Sequence, residues 1–95
     1  MKYVIVRSHS AGVFAGFLSE KQGREVIIKN ARRLWYWKGA ATLSELAMEG
    51  VKCPDECKFP IAVDQITVLE VIEILDVTQQ AKASIDNVPV WSFGT

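Results

Sequence analysis

The chain has 95 residues, of which 49% are hydrophobic and 23% are charged, and its 11 basic residues balance its 11 acidic ones. This composition predicts one globular domain over residues 1–95, with a core of modest size. Because the net charge is zero, we expect no general attraction to duplex nucleic acid or to an anionic membrane. No apolar run reaches the roughly 18 residues of a membrane span, and the first residues lack the pattern of a signal peptide.

The first third of the chain is rich in β-branched residues and is interrupted by turn residues. Such runs are typical of short strands joined by hairpin turns. Gly23, in "KQGR", is suited to the tight position of one such turn. The predicted strands are "KYVIVRS" (2–8), "VFAGFLSE" (13–20) and "EVIIKNA" (25–31), with "RRLWYWK" (32–38) as a candidate fourth.

A helix is predicted over residues 42–50. Thr42 and Glu45 form a T-x-x-E capping box, in which each side chain can bond the free backbone N–H of the other. Gly50 is suited to end the helix in the left-handed conformation, which glycine adopts readily. A second short helix is predicted over 78–87, with Thr78 as its N-cap and Ala81 and Ile85 facing inward.

The segment 65–78 is too rich in β-branched residues for a surface helix. Both of its alternating faces are largely apolar, which predicts one long bent strand or two strands, centrally placed or with a bulge near Glu70. The final stretch 88–93 contains Pro89, which favours an edge strand or a docked tail. Together these elements predict an α+β fold: a mostly antiparallel, curled sheet or partial barrel of about five to six strands with one or two short helices.

The stretch "ARRLWYWKG" (31–39) is the most unusual part of the sequence. If it is a strand, its side chains alternate between two faces. One face holds Arg33, Trp35 and Trp37, and the other holds Arg32, Leu34, Tyr36 and Lys38. Burying two indoles would stabilise a small domain by several kcal/mol at about 25 cal/mol per Å², so we favour a buried tryptophan face. Arg32, Tyr36 and Lys38 would then meet a ligand or partner, with Arg33 at the rim of the core.

Two alternatives remain for the same stretch. A tryptophan beside an arginine can stack on a nucleobase and bind phosphate. The same residue types are also enriched at subunit and partner interfaces.

The remaining polar residues do not predict catalysis. His9 lies beside Ser10 in the turn "SHSAG", near Arg7, and a polar turn is favoured over a small anion-binding loop or a serine–histidine pair. Cys53 and Cys57 are too few for a zinc site without ligands from another subunit, and a cytoplasmic chain is expected to keep both thiols reduced rather than joined in a local disulfide. We therefore expect no catalytic residue, no metal and no cofactor.

Several segments together resemble a family of small uncharacterised proteins encoded by tailed phages and prophages. The resemblance is carried by "KYVIVRSHSAGVFAG", "ARRLWYWKGAATLSELAMEG", "CKFP" and "VIEIL" with "VPVW". It implies an accessory role in the host bacterial cytoplasm and no assigned activity. Small phage proteins often sequester host nucleotides or block host proteins, which is an analogy of size and origin only.

These observations favour a non-enzymatic homo-oligomer that sequesters a nucleotide-type immune signal of the host and so counters defence. A shared site at a subunit interface suits a chain too small to enclose a nucleotide alone. The alternative is an interaction or structural module that docks a phage or host protein through the aromatic stretch and the edge near Pro89. The candidate ligand-binding residues are Arg7, His9, Ser10, Arg32, Arg33, Trp35, Tyr36, Trp37 and Lys38.

Overall fold

The computed structural model describes residues 1–94 and has one five-stranded antiparallel sheet with two helices, which confirms the predicted α+β class. The sheet is curled but not closed, and its strand order is β4-β3-β2-β1-β5. No helix within residues 1–94 is long and apolar enough to cross a bilayer. The elements are β1 (Lys2–Ser8), β2 (Gly12–Gln22), β3 (Glu25–Arg33), α1 (Leu43–Glu49), a 3-10 turn (Pro54–Glu56), β4 (Val63–Val68), β5 (Val71–Asp76) and α2 (Gln79–Asp86).

Side-chain alternation along the central strands divides the core into two layers. Ile5 of β1 and Ala15 of β2 face the helices, where they pack with Leu46 and Ile85. The residues next to them along each strand face the concave side of the sheet. The buried cluster on that side contains Val4, Val6, Phe14, Val26, Ile28, Ala31 and Val68. The helices cover the first layer, and the curl of the sheet encloses the second.

The predicted segment 65–78 forms two strands, β4 and β5, and a tight corner separates them. Glu70 turns the chain with a φ of 53°, and the N–H of Val71 then donates to the carbonyl of Arg24 at 2.9 Å. The expectation of a central position is wrong, because β4 and β5 occupy opposite edges of the sheet. Both faces are apolar because β4 supplies Ile66 and Val68 to the concave core, whereas β5 supplies Ile74 to the concave core and Leu75 to the helix-facing core.

The helix ends follow the local sequence signals. Thr42 accepts a hydrogen bond from the N–H of Glu45 at 3.1 Å, as predicted, whereas the Glu45 carboxylate accepts one from the N–H of Ala41 at 3.1 Å instead of that of Thr42. Thr78 caps α2 by accepting from the N–H of Ala81 at 3.0 Å. Gly50 ends α1, as its position predicted, but its φ of 81° and ψ of −155° lie outside the left-handed helical region that was expected.

The aromatic stretch does not continue as a strand. β3 ends at Arg33, and beyond it only Tyr36 forms an isolated antiparallel bridge, with Lys58. Trp35 is 65% exposed, whereas Trp37 is half-buried against the helix-facing core. The expectation of one buried face with both tryptophans is therefore wrong, because strict alternation is lost where the chain leaves the sheet.

Arg32 lies in the protein interior and not on a ligand-binding face, which corrects the role expected for it. Its side chain is 8% exposed, and its guanidinium donates to four backbone carbonyls. The acceptors are Pro60 at 3.0 Å, Phe59 at 3.0 Å, Ile85 at 2.8 Å and Val88 at 2.7 Å. Burial lowers the pKa of Arg32, and the nearby Tyr3 and Asp86 oppose that shift.

This Arg32 clamp joins three parts of the chain that lie far apart in sequence. Two of the carbonyls belong to the segment before β4, and two belong to the end of α2 and the residues after it. A cation near the C-terminal end of a helix also interacts favourably with the helix dipole. The clamp thus fixes α2 and the segment 59–60 against the sheet.

Replacing Arg32 with methionine should lower the free energy of unfolding by about 3 kcal/mol, because four buried carbonyls lose their donor. Urea denaturation followed by circular dichroism measures the change. Arg33→Met is the matched control and should lower it by less than about 1 kcal/mol, since Arg33 makes one hydrogen bond in the described structure. Equal losses for the two variants would contradict the clamp.

Tyr3 gives a second test of the same interior. Burial, with a smaller effect of Asp86, raises the pKa of Tyr3 from 10 to about 12. At a pH between these two pKa values, the unfolded chain loses the phenolic proton and the folded chain keeps it. The free energy of unfolding should therefore fall by on the order of 1–2 kcal/mol as the pH rises through this range. Chemical denaturation at several pH values should show this loss in the wild type and a smaller loss in Tyr3→Phe; identical pH profiles would exclude it.

Candidate binding surface

Arg33, the neighbour of the clamped arginine, lies at the mouth of the concave core. Its guanidinium lies 4.4 Å from the centre of the Phe14 ring, and its Nη1 donates to the carbonyl of Ala11 at 2.8 Å. Within residues 1–94, no carboxylate lies within ion-pair distance of it. These two contacts hold the Arg33 side chain in place. Because a guanidinium has five donor hydrogens and one is used here, the others can still bind an anion.

Three shallow grooves meet at Arg33. One runs beside β4 and is lined by Pro60, Ile61, Val63 and Ile66, and a second continues from Ile66 to Glu70 and the turn after β1. The third is lined by Val13, Leu34, Trp35 and Trp37. Arg33 is the one charged side chain that all three share.

Large apolar side chains surround these grooves. Trp35 is 65% exposed, Ile61 70%, Val63 45% and Leu69 55%. We call these four residues together with Arg33 the Arg33 surface. Apolar groups around a charged anchor are typical of a binding site, because they exclude water from the central contact.

The turn between β1 and β2 closes one side of this surface. The Ser8 hydroxyl donates to the carbonyl of Leu69 at 2.8 Å, and the N–H of His9 donates to the carbonyl of Glu70 at 3.0 Å. Ser10 lines the groove beside Arg33, whereas His9 is exposed and does not line it. The turn therefore contributes its backbone and Ser10 to the surface.

The other predicted cations have partners. Arg7 donates to Glu73 at 2.8 Å, and Lys38 forms an ion pair with Glu56 at 3.0 Å, which raises the pKa of Lys38. Each of these pairs neutralises a charge that the sequence offered to a ligand. Neither residue lines the grooves at Arg33.

A separate exposed cluster forms where three segments meet. Tyr36 forms an isolated antiparallel β-bridge with Lys58. The backbone N–H of Trp91 donates to the carbonyl of Phe59 at 3.0 Å, so the C-terminal stretch docks on residues 57–60 of its own chain. The ammonium of Lys58 lies 5.9 Å from the Tyr36 ring centre and 5.5 Å from that of Trp91. These cation–π contacts hold the cluster together.

The two cysteines are free thiols. Cys57 is buried, accepts a hydrogen bond from the N–H of Lys38 at 3.4 Å, and has its pKa raised by burial. A buried thiol with a raised pKa is a poor nucleophile. Among residues 1–94, no three His, Cys, Asp or Glu side chains lie in an arrangement suited to a metal ion.

The structure thus brings together part of the predicted site. Arg33, Trp35, Trp37 and Ser10 line grooves that meet at one point. Arg32 is buried, and the remaining candidates Arg7, His9, Tyr36 and Lys38 lie elsewhere. Ile61, Val63 and Leu69 were not among the predicted site residues. Leu69 belongs to the segment 65–78, whose apolar faces indicated burial, yet it is exposed.

These features define a small α+β protein with an exposed apolar surface around Arg33, which has no carboxylate partner within residues 1–94. The chain belongs to the family described as domain of unknown function (DUF6948), which matches residues 1–85. No curated protein and no solved structure matches the chain. The matched region contains the whole Arg33 surface and ends before Val88 and Trp91.

The two tryptophans of the third groove should differ in their contribution to stability. Trp35→Ser should change the free energy of unfolding by less than about 0.5 kcal/mol, because Trp35 is exposed. Trp37→Ser should lower it by about 1–2 kcal/mol, because Trp37 packs on the helix-facing core. Thermal and urea denaturation test both, and a larger loss for Trp35 would show that its role is structural.

Proposed function

We propose that the protein is a non-enzymatic interaction module that binds another protein through the Arg33 surface. The observation that carries this proposal is a guanidinium with no carboxylate partner in the described chain, surrounded by exposed Trp35, Ile61, Val63 and Leu69. Tryptophan and arginine contribute most to binding energy at protein interfaces, and nearby apolar contacts keep water out.

The balance of charges favours a protein over a nucleotide. Phosphate binding normally uses several cations or backbone N–H groups converging on one anion. Of the arginines and lysine that the sequence offered for this role, Arg32 is bonded to carbonyls, and Arg7 and Lys38 are paired with carboxylates. Arg33 alone remains at the grooves, which suits one acidic group of a partner.

A nucleotide-type ligand is the second candidate, because Trp35 and Trp37 line one groove together with Arg33. This groove has a volume of about 310 Å³, near the lower end of small-molecule sites. In that role the protein would be a homo-oligomer that sequesters an immune signal, with a second subunit supplying further contacts.

The biological setting of either role rests on the resemblance to tailed-phage and prophage proteins. We propose that the protein acts as an accessory protein in the cytoplasm of a bacterial host. Its partner would then be a host protein, including a component of antiviral defence, or another phage protein.

Affinity purification from bacterial cells tests this function with a matched set of variants. The wild type and Ile72→Ser should retain a stoichiometric protein partner, whereas Trp35→Ser and Ile61→Ser should each weaken its binding about tenfold or more. Ile72 is the control because it is 50% exposed but lines a different groove, beside Lys21 and Gly23.

Two outcomes would contradict the proposal. One is a partner that binds Trp35→Ser and Ile61→Ser as tightly as the wild type. The other is a purified wild type with an absorbance maximum near ~260 nm that disappears in Trp35→Ser, since stacking aromatic groups bind bases. The second outcome would establish the nucleotide-type ligand instead.

A further inference from the structure

The outer edge of β4 has no strand partner. Within residues 1–94, β4 pairs with β3 alone, so the backbone groups on its other side are free of any sheet. Natural edge strands are usually protected by proline, bulges or several charges. β4 has the sequence "VDQITV", with no proline and with Asp64 as its one charged residue.

A groove lies beside this open edge, over the concave face that β4 shares with β3 and β2. Its two parts are lined by the chain from Pro60 to Ile66 and from Ile66 to Glu70, and they share Phe14 and Arg33 as their floor. Four residues of β4 line it, namely Val63, Ile66, Thr67 and Val68. A strand added to this edge would place every second side chain on the groove side, as the pleat of a sheet requires.

We propose that β4 binds an extended segment of the partner protein by strand addition, and that an acidic side chain of this segment pairs with Arg33. The inference rests on the proposed function and names the kind of partner. The positive charge of Arg33 favours an acidic residue in the partner segment. Arg33 lies where the two parts of the groove meet and has no carboxylate partner in the described chain.

The remainder of the groove defines the neighbours of that acidic residue. Side chains two positions away on either side share the face of the acidic residue and meet the apolar lining of the groove, which includes Val63 and Ile66. Glu70 lines one end of the groove, so a second acidic residue there is unfavourable. The recognised pattern is thus apolar, any, acidic, any, apolar, in an extended segment.

Selection from a random heptapeptide library displayed on yeast tests this pattern without knowledge of the partner. Selected peptides should contain Asp or Glu with apolar residues two positions away. In fluorescence anisotropy, replacing the acidic residue by its amide should weaken binding to the wild type about tenfold or more and binding to Arg33→Gln hardly at all.

Strand addition is tested separately by the effect of blocking the backbone N–H groups of the peptide on its binding. N-methylation of alternate amides that bond to β4 should abolish binding, and N-methylation of the intervening amides should not. Val63→Ser is a second variant at the groove, with Ile72→Ser as its matched control, and denaturation confirms that each variant is folded. A folded Val63→Ser should bind the peptide about tenfold more weakly, whereas Ile72→Ser should bind it unchanged.

Three results would overturn the inference. Selected peptides without a preference for Asp or Glu would exclude the proposed role of Arg33. Peptide binding at the Arg33 surface that is insensitive to N-methylation of the peptide would exclude strand addition and leave the proposed function intact. A dimer with β4 amides protected from hydrogen exchange, and no selected peptide, would show that a second copy covers the edge. A partner that binds the Trp35→Ser and Ile61→Ser variants normally would instead refute the proposed function itself.

Discussion

The buried guanidinium of Arg32 is the contact on which the arrangement of the other elements depends. Burying a charge without a carboxylate is unfavourable unless its polar atoms are hydrogen-bonded, and four backbone carbonyls accept from the three guanidinium nitrogens of Arg32. The carbonyls come from the segment before β4 and from the end of α2 and the residues beyond it. Their convergence fixes both segments against β3, and so sets where β4 begins and where the C-terminal stretch docks.

The same contact determines which arginine remains for binding. Adjacent residues of a strand point to opposite faces, so the burial of Arg32 under the helices places Arg33 on the concave side. There its guanidinium lies on Phe14 beside the open edge of β4, with exposed Trp35 and Ile61 nearby. A structural arginine and the arginine that we propose for binding therefore occupy consecutive positions.

Much of the fold was predictable because it depends on local signals. Thr42 and Thr78 marked the helix starts, Gly50 marked a helix end, and the alternation of Arg32 and Arg33 was correct in principle. The choice of the buried face was wrong, because the acceptors of Arg32 lie at 59–60 and 85–88, which no local pattern connects to it. For the same reason the sequence could not show that the segment containing Ile61 and Leu69 borders a sheet edge.

Nitrogen-15 NMR of the arginine side chains tests the division between Arg32 and Arg33 most directly. Hydrogen-bonded and buried donors exchange slowly with water, whereas open ones exchange rapidly. The Arg32 side chain should give resolved Nη signals and slow exchange of its Nε hydrogen, while Arg33 should show a freely exchanging Nε hydrogen that slows when the partner binds. Rapid exchange at Arg32, or equal protection of the two side chains in the free protein, would contradict the account.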